Sequence, residues 1–455
     1  MSINLKKICG IDFEKFAVKA LCIADAAEAF CEKTGLKMAE DSAENLIILD
    51  AESLEYGPYA VEIGKNVKIS GSYRSLFSAL EAFYALLEKE ELCEADSTSG
   101  KIETPEIPYK GREDLLKIVQ YMYDEDDRVL FGQHMAGEAN PEFTINEYTE
   151  AVGVGPSIID YDMLKLRENP RYDWSRSVCL LVEFAAQGGI ITTMHHWANP
   201  NGVPEGTQSF RGKLGDNDAW LDVLTPGTKN NLFWVEELDR GGEFMKALWN
   251  AGVTVMWRPL HEANGNWFWF CQGQGEEYGN ITMENMVKMW KYVHDYYTNH
   301  WGLDQLVWSY GPNVSNALGA VTSVASYYPG DEYVDVVGFD WYTNGRYEFD
   351  NENYEGKCHD RLVELGKPFG IMEWGINSEI RDQKSAGNED YFTCEDYCKI
   401  LDRMKSEGKK VAFCEVYSSI YGSVKYVGKA EALYKSGWVV ALHEMPELIK
   451  KILNK

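Results

Sequence analysis

The chain lacks any stretch of about 18 apolar residues, so no membrane-spanning helix is expected. It is also short of positive charge: 44 Lys and Arg stand against 72 Asp and Glu, a formal net charge of -28. A surface of that sign repels phosphate backbones and anionic headgroups, which argues against nucleic acid and membrane as partners. The N-terminus, MSINLKKICGIDFEKF, has Asp12 and Glu14 where a secretory signal needs an apolar run. A cytoplasmic location is therefore expected, or secretion if a leader has been removed. Cysteine is sparse, ten in 455 residues, and scattered without the compact framework of a disulfide scaffold, which fits a reducing compartment. Cys394 and Cys398 lie four apart on an expected helix, but no second Cys/His pair lies nearby, so they read as half-buried or buried thiols. Repeats and low-complexity tracts are absent. So is a glycine-rich fingerprint after a first strand, which disfavours a doubly wound dinucleotide-binding sheet.

What is present is a globular balance, 45% hydrophobic and 25% charged, with an excess of flat, half-polar rings: 14 Trp and 27 Tyr. Most of these belong to a core, and the remainder suit a binding cleft. Residues 1 to about 105 read as a small α/β domain. ENLIILDAE is a buried strand, PYAVEIGKNVKISGS a hairpin about Gly64, Lys65 and Asn66, and YRSLFSALEAFYALLEKEE a helix. EADSTSGKIETPEIPYK, from Glu94 to Lys110, is rich in Ser, Thr, Pro and charge and reads as a linker.

From residue 106 to 455 the pattern becomes short apolar strands ending in polar or aromatic residues, each followed by a helical stretch. The strands are RVLFGQH ending at His134, PSIIDYD at Asp162, GIITTMHH at His196, TVMWRPLHE at Glu262, QLVWSYG at Gly311, VDVVGFDWY at Tyr342, PFGIMEWG at Gly375 and VAFCEVY at Tyr417. SVCLLVEFAAQG, GGEFMKALWNAG and MENMVKMWKYVHDYY are among the helices between them. Eight strand–helix units predict a (β/α)8 TIM barrel, whose active site forms at the C-terminal ends of its strands.

WRPLHEANGNWFWF places Glu262 at the end of the fourth strand, and IMEWG places Glu373 at the end of the seventh. Those ends face each other across a barrel mouth. Two carboxylates across a cleft is the arrangement of glycoside hydrolysis, one giving a proton to the leaving oxygen, the other acting as nucleophile or as base. Trp267, Phe268 and Trp269 offer ring faces for sugars, with Trp374, Trp341 and Tyr342 as further walls. Tyr342 is placed to donate its hydroxyl to Glu373. Arg258 and His261 share the strand of Glu262, and strand alternation turns His261 away from Glu262, so that one of the two supports the other. His196, in HHWANP, is a candidate sugar contact against the alternative of a backbone-bonded core histidine. No metal or organic cofactor is required by this chemistry.

These motifs resemble glycoside hydrolase family 26, a family of retaining (β/α)8 enzymes best known for β-mannanases. In that resemblance Glu262 is the acid/base, Glu373 the nucleophile, His196 a contact of the sugar being cleaved, and Tyr342 the tyrosine that touches the nucleophile. His261 stands before the acid/base, where many relatives in the wider clan carry Asn. The resemblance covers about residues 110 to 440. One departure concerns the eighth strand, where the family usually offers a Trp as floor and this chain reads FCEVYSS, leaving Tyr417 to replace it. The expectation is a retaining β-glycosidase acting on a neutral β-linked polysaccharide or oligosaccharide, β-mannan first. The resemblance also allows mixed-linkage β-glucan or β-1,3-xylan, and the alternatives of another class are a non-catalytic carbohydrate-binding protein or a scaffold.

Overall fold

The computed structural model describes residues 106–135, 141–168, 174–214, 217–271, 282–314, 323–343 and 358–454. Before residue 106 it describes 7–8, 11–12, 16–20, 27–28, 30–31, 34–39, 45–51, 60–71, 80, 83 and 100–103. Two compact units are present: residues 1–106 with 171–183 and 246–253, and residues 107–170, 184–245 and 254–455.

In the first unit a six-stranded sheet runs in the order Lys37–Met38, Ala17–Ala20, Leu46–Ala51, Val67–Gly71, Ala60–Ile63, Gly100–Glu103. Alternation of apolar residues puts Ile47, Leu49, Val61, Ile63, Val67 and Ile69 inside, all buried. The hairpin about Gly64 to Asn66 forms as the alternation predicts, with Ala60–Ile63 antiparallel to Val67–Gly71. The linker reading needs correction, because Gly100–Glu103 pairs antiparallel with Ala60–Ile63 as an edge strand. A Ser- and Thr-rich flank concealed a four-residue strand. The helix expected after Tyr73 lies outside the described residues except for Leu80 and Phe83, both buried.

In the second unit eight parallel strands close on themselves. They are β1 (Val129–His134), β2 (Ile158–Asp162), β3 (Ile190–Met194), β4 (Val255–Arg258), β5 (Val307–Tyr310), β6 (Val336–Thr343), β7 (Phe369–Ile376) and β8 (Phe413–Val416). Each pairs with its neighbours in chain order, and β1 pairs with both β2 and β8 to close the ring. Every residue of β1 to β5 and of β7 and β8 is buried, as strands covered on both faces must be, which is why they read as apolar runs rather than alternating ones. This is the (β/α)8 barrel that the strand–helix repeat predicts.

Strand ends differ from the sequence reading where function begins. β3 stops at Met194 and β4 at Arg258, so His196 and Glu262 stand on the turns that follow, in the backbone excursions where barrel enzymes build their sites. Glu262 has a φ of 54°, the left-handed region that non-glycine residues avoid, and its amide donates to the Gly311 carbonyl at 2.8 Å. Among the described residues no helix is long and apolar enough to cross a membrane.

Candidate active site

Three carboxylates meet at the mouth. Glu262 from the β4 turn, Asp340 from β6 and Glu373 from β7 each bring an oxygen within 4.8 Å of the others, and all three side chains are buried. Arg258, the last residue of β4, answers this concentration of negative charge. Its Nη2 donates to Glu373 Oε1 at 2.8 Å, and its Nη1 donates to Asp340 Oδ1. Burial disfavours the guanidinium charge, but Asp340 and Glu373 outweigh it and hold the Arg258 pKa well above its ordinary value.

Glu262 and Glu373 receive different partners. Glu373 is held by a cation on one oxygen and by the Tyr342 hydroxyl on the other, at 2.8 Å. Glu262 has only neutral donors: Trp267 Nε1 to Oε2 at 2.5 Å, and Asn313 Nδ2 to Oε1. Burial, and then the Glu373 charge, push the Glu262 pKa up to about 7, against those two hydrogen bonds and the more distant Arg258. A pair of carboxyls with unlike environments, one neutral near pH 7, is the signature of an acid and a nucleophile. Their approach suits a retaining enzyme, in which the groups stand roughly 5 to 5.5 Å apart, rather than an inverting one.

Local sequence makes this geometry possible. A Cβ on Gly265 would lie 2.4 Å from the Trp267 ring, so glycine there lets the indole fold back onto Glu262. A Cβ on Gly375 would lie 2.3 Å from the Tyr342 ring, so that glycine leaves room for the tyrosine beside Glu373.

Of the remaining residues singled out from sequence, His196 is brought in: its Nδ1 meets Asp162 Oδ2 at 2.7 Å, and its ring packs on His261 and Phe268. Burial works against the His196 cation, but Asp162 raises its pKa. His261 is fully buried, with Nε2 4.0 Å from Glu373 Oε1 and no hydrogen-bond partner on either ring nitrogen. Burial, then His196 and Arg258, depress its pKa well below the usual value, so it is a neutral imidazole. The alternation argument for His261 fails because β4 has already ended at Arg258, and the turn sets its direction instead. Tyr417 is half-buried, 5.2 Å from the His134 ring and 6.1 Å from Tyr342 by centroids.

Three readings are corrected. Trp269 offers no face to a sugar, being fully buried with its Nε1 donating to the Trp197 carbonyl at 2.7 Å and its ring against Trp234. Trp374 is likewise fully buried, stacked on Trp341 at 5.7 Å, and both belong to the core. Arg258 is taken up by two carboxylates, Asp340 and Glu373, rather than left free for a substrate. Sequence reasoning missed Asn313, Asp162 and Asp340. Asp340, a carboxylate inside the apolar run VVGFDWY, carried the same warning that singled out Arg258. Asn313 gave none, being one polar residue in a turn after β5.

Residues 108–414 match the profile of glycosyl hydrolase family 26. The chain belongs to that family. Mannan endo-1,4-beta-mannosidase from Bacillus subtilis strain 168 is 27% identical over 323 residues, covering 69% of this chain and 81% of the relative. Mannan endo-1,4-beta-mannosidase A and B from Caldalkalibacillus mannanilyticus is 30% identical over 211 residues, 46% of this chain, and the match spans only 37% of that longer protein. Among solved structures, GH26A from Muricauda sp. MAR_2010_75 superimposes with a TM-score of 0.57 at 25% identity, over 73% of this chain and 98% of that one. The chain is a glycoside hydrolase by family, with a barrel of the family type.

Proposed function

We propose that the protein hydrolyses β-linked mannan or manno-oligosaccharides with retention of configuration. The observation that carries this reading is the pairing of a neutral-donor-bound Glu262 with an Arg258- and Tyr342-bound Glu373 whose oxygens lie within 4.8 Å. The mannan preference rests on the substrate in the names of the Bacillus subtilis and Caldalkalibacillus mannanilyticus relatives.

In the first step Glu262 gives its proton to the glycosidic oxygen as a Glu373 oxygen attacks the anomeric carbon. The bond to the leaving sugar breaks and a glycosyl ester forms. Glu262, now ionised, takes a proton from water. That water attacks the same carbon, the ester bond breaks, and Glu373 is regenerated as a carboxylate. Tyr342 and Arg258 hold Glu373 in line by hydrogen bonds to its two oxygens. His261, neutral and with unpartnered nitrogens, and His196, fixed by Asp162, are the proposed contacts for sugar hydroxyls, with Tyr417 as the wall replacing a family Trp.

Product analysis on mannan, mixed-linkage β-glucan, β-1,3-xylan and manno-oligosaccharides, with the Glu373→Ala protein alongside, tests the reading. Hydrolysis of mannan or its oligomers that vanishes in the variant is expected. Turnover only of the glucan or xylan keeps the mechanism and removes the substrate, and sugar binding without turnover on any glycan overturns the enzyme.

A further inference from the structure

β7 carries one residue more than its neighbours at the point where it delivers Glu373. Against β6, Phe339 pairs with Ile371 and Asp340 with Glu373, so Met372 has no opposite number. Against β8, Ile371 pairs with Cys414 and Trp374 with Val416, so Met372 and Glu373 together face Glu415. Two residues opposite one is a β-bulge, which re-aims a side chain and leaves one residue out of the ladder. In an unbroken strand successive side chains face opposite sides of the sheet. Here both turn toward Arg258. Glu373 Oε1 accepts from the guanidinium at 2.8 Å, while the Met372 sulfur and the Arg258 stem share the space beside Gly311. A Cβ on Gly311 would lie 3.0 Å from Met372 Sδ and 2.7 Å from Arg258 Cδ. Gly338 of β6 makes similar room, since a Cβ there would lie 2.9 Å from Met372 Cγ and Cε.

The bulged backbone is held from a strand that is not its neighbour. β8 stands between β7 and β1, yet His134 at the end of β1 reaches across. Its Nε2 lies 2.7 Å from the Met372 carbonyl oxygen, which only accepts, so Nε2 is the donor. The His134 ring is fully buried and is set from behind. Nδ1 faces Asp160 Oδ1 at 3.3 Å, and the Thr192 hydroxyl lies 3.0 Å from Asp160 Oδ2 and 2.6 Å from Glu415 Oε2. Burial works against an imidazolium, but Asp160 outweighs it and raises His134 to about 9. Burial, with Asp160 adding to it, raises Glu415 to about 8. A ring that carries both hydrogens cannot turn Nε2 into an acceptor, so the bond to Met372 persists through neutral pH.

We propose that His134 is a positioning residue for the reaction, holding the β7 bulge at Met372 so that the Glu373 carboxylate is aimed at the anomeric carbon. It acts through one backbone carbonyl and touches none of the reacting atoms. Asp160, Thr192 and Glu415 hold the ring that makes that bond. The inference rests on the reading of Glu373 as nucleophile.

The test compares the full chain with His134→Leu, which has no donor, and with His134→Gln, whose side-chain amide can still donate to Met372. For each, kcat and KM are measured on whichever of the test glycans the unaltered protein hydrolyses, together with Tm and the rate of ester formation with the matching 2-deoxy-2-fluoro-β-glycosyl fluoride. Both variants lose the cation beside Asp160, so Tm should fall in both. In His134→Leu, kcat and the ester-forming rate should fall about 30-fold or more, with KM within about threefold, because a misaimed nucleophile costs rate rather than binding. His134→Gln should recover most of that loss. A leucine variant with kcat within about threefold of the unaltered protein, or a glutamine variant as slow as the leucine one, overturns the inference and leaves His134 a core residue. Labelling reports on the two readings separately. A label away from Glu373 in the unaltered protein overturns the nucleophile and this inference with it, whereas a label on Glu373 formed at an unchanged rate in His134→Leu overturns this inference alone. Should His134→Leu fail to fold, 15N NMR of the unaltered protein decides, with the His134 signals assigned by their loss in His134→Gln. An Nε2 proton whose shift moves when Glu373 carries the ester supports the link, and an Nε2 without a proton, or one that does not respond, overturns it.

Discussion

The two buried carboxylate clusters of this barrel differ in what sits beside the acids. At the mouth, β4 supplies Arg258, which bonds Asp340 and Glu373, while Glu262 receives only an indole and an amide. Across β1, β2 and β8 the acids receive a histidine and one hydroxyl. Burial pushes Glu415 up to about 8, Asp160 adding to it, much as burial pushes Glu262 to about 7. The difference teaches that burial raises the pKa of the barrel carboxyls Glu262 and Glu415, and that the placement of one guanidinium distinguishes Glu373, which it bonds, from Glu262, which it does not. The mouth thereby holds two glutamates with unlike partners, their oxygens within 4.8 Å of each other.

Removing the proposed nucleophile breaks the contrast most completely. Glu373→Ala should lower kcat by about 10^4-fold or more, read as product release from manno-oligosaccharides. Glu262→Gln should lower it by about 10^2- to 10^4-fold, less on substrates whose leaving group needs no proton.

Removing the cation comes next. Arg258→Met leaves Asp340 and Glu373 buried without their partner, and loss of one member of such a pair costs about 3–5 kcal/mol. Denaturant unfolding should register that loss, and the surviving folded enzyme should lose activity chiefly in kcat because Glu373 is no longer held in place by Arg258.

The protonation of Glu262 is the next point of attack. Activity should fall as pH rises through about 7, the value to which burial and Glu373 raise this acid. Trp267→Phe removes a hydrogen bond that favours the carboxylate, so the alkaline limb should move to higher pH. Stability carries the same sign: a raised folded-state pKa gives stability fully present below the unfolded value of about 4.5 and lost as pH rises through about 7. Glu262→Gln should therefore raise Tm by a few degrees at pH 8 and leave it nearly unchanged at pH 4.

The smallest effect separates two tryptophans two positions apart. Trp269→Phe should lower Tm with little change in the pH profile, since that ring serves the core, and a shifted profile would contradict the assignment.

Much of this was legible in the sequence for physical reasons. A strand buried on both faces must be apolar, so Arg258, Glu262 and Glu373 stood out as charges at the ends of such runs, and eight runs with helices between them implied a closed barrel. The partition of GNWFWF was not legible, because stacking on a sugar and packing against Trp234 ask for the same side chain. Asn313 was invisible because its pairing with Asn264 and Glu262 is made by two turns brought together only on folding. His134, Asp160 and Glu415 were each visible as a polar residue in an apolar strand, but their convergence depends on register across the closure of the barrel.

The central claim is that Glu373 attacks and Glu262 protonates. Mass spectrometry of the protein after reaction with a 2-deoxy-2-fluoro-β-mannosyl fluoride tests it most directly, since slow release of the fluorosugar traps the ester. A single added sugar mapping to the peptide of Glu373 is the predicted result. A label on any other residue, or no label from an enzyme whose first product is the inverted α-anomer, would contradict the account.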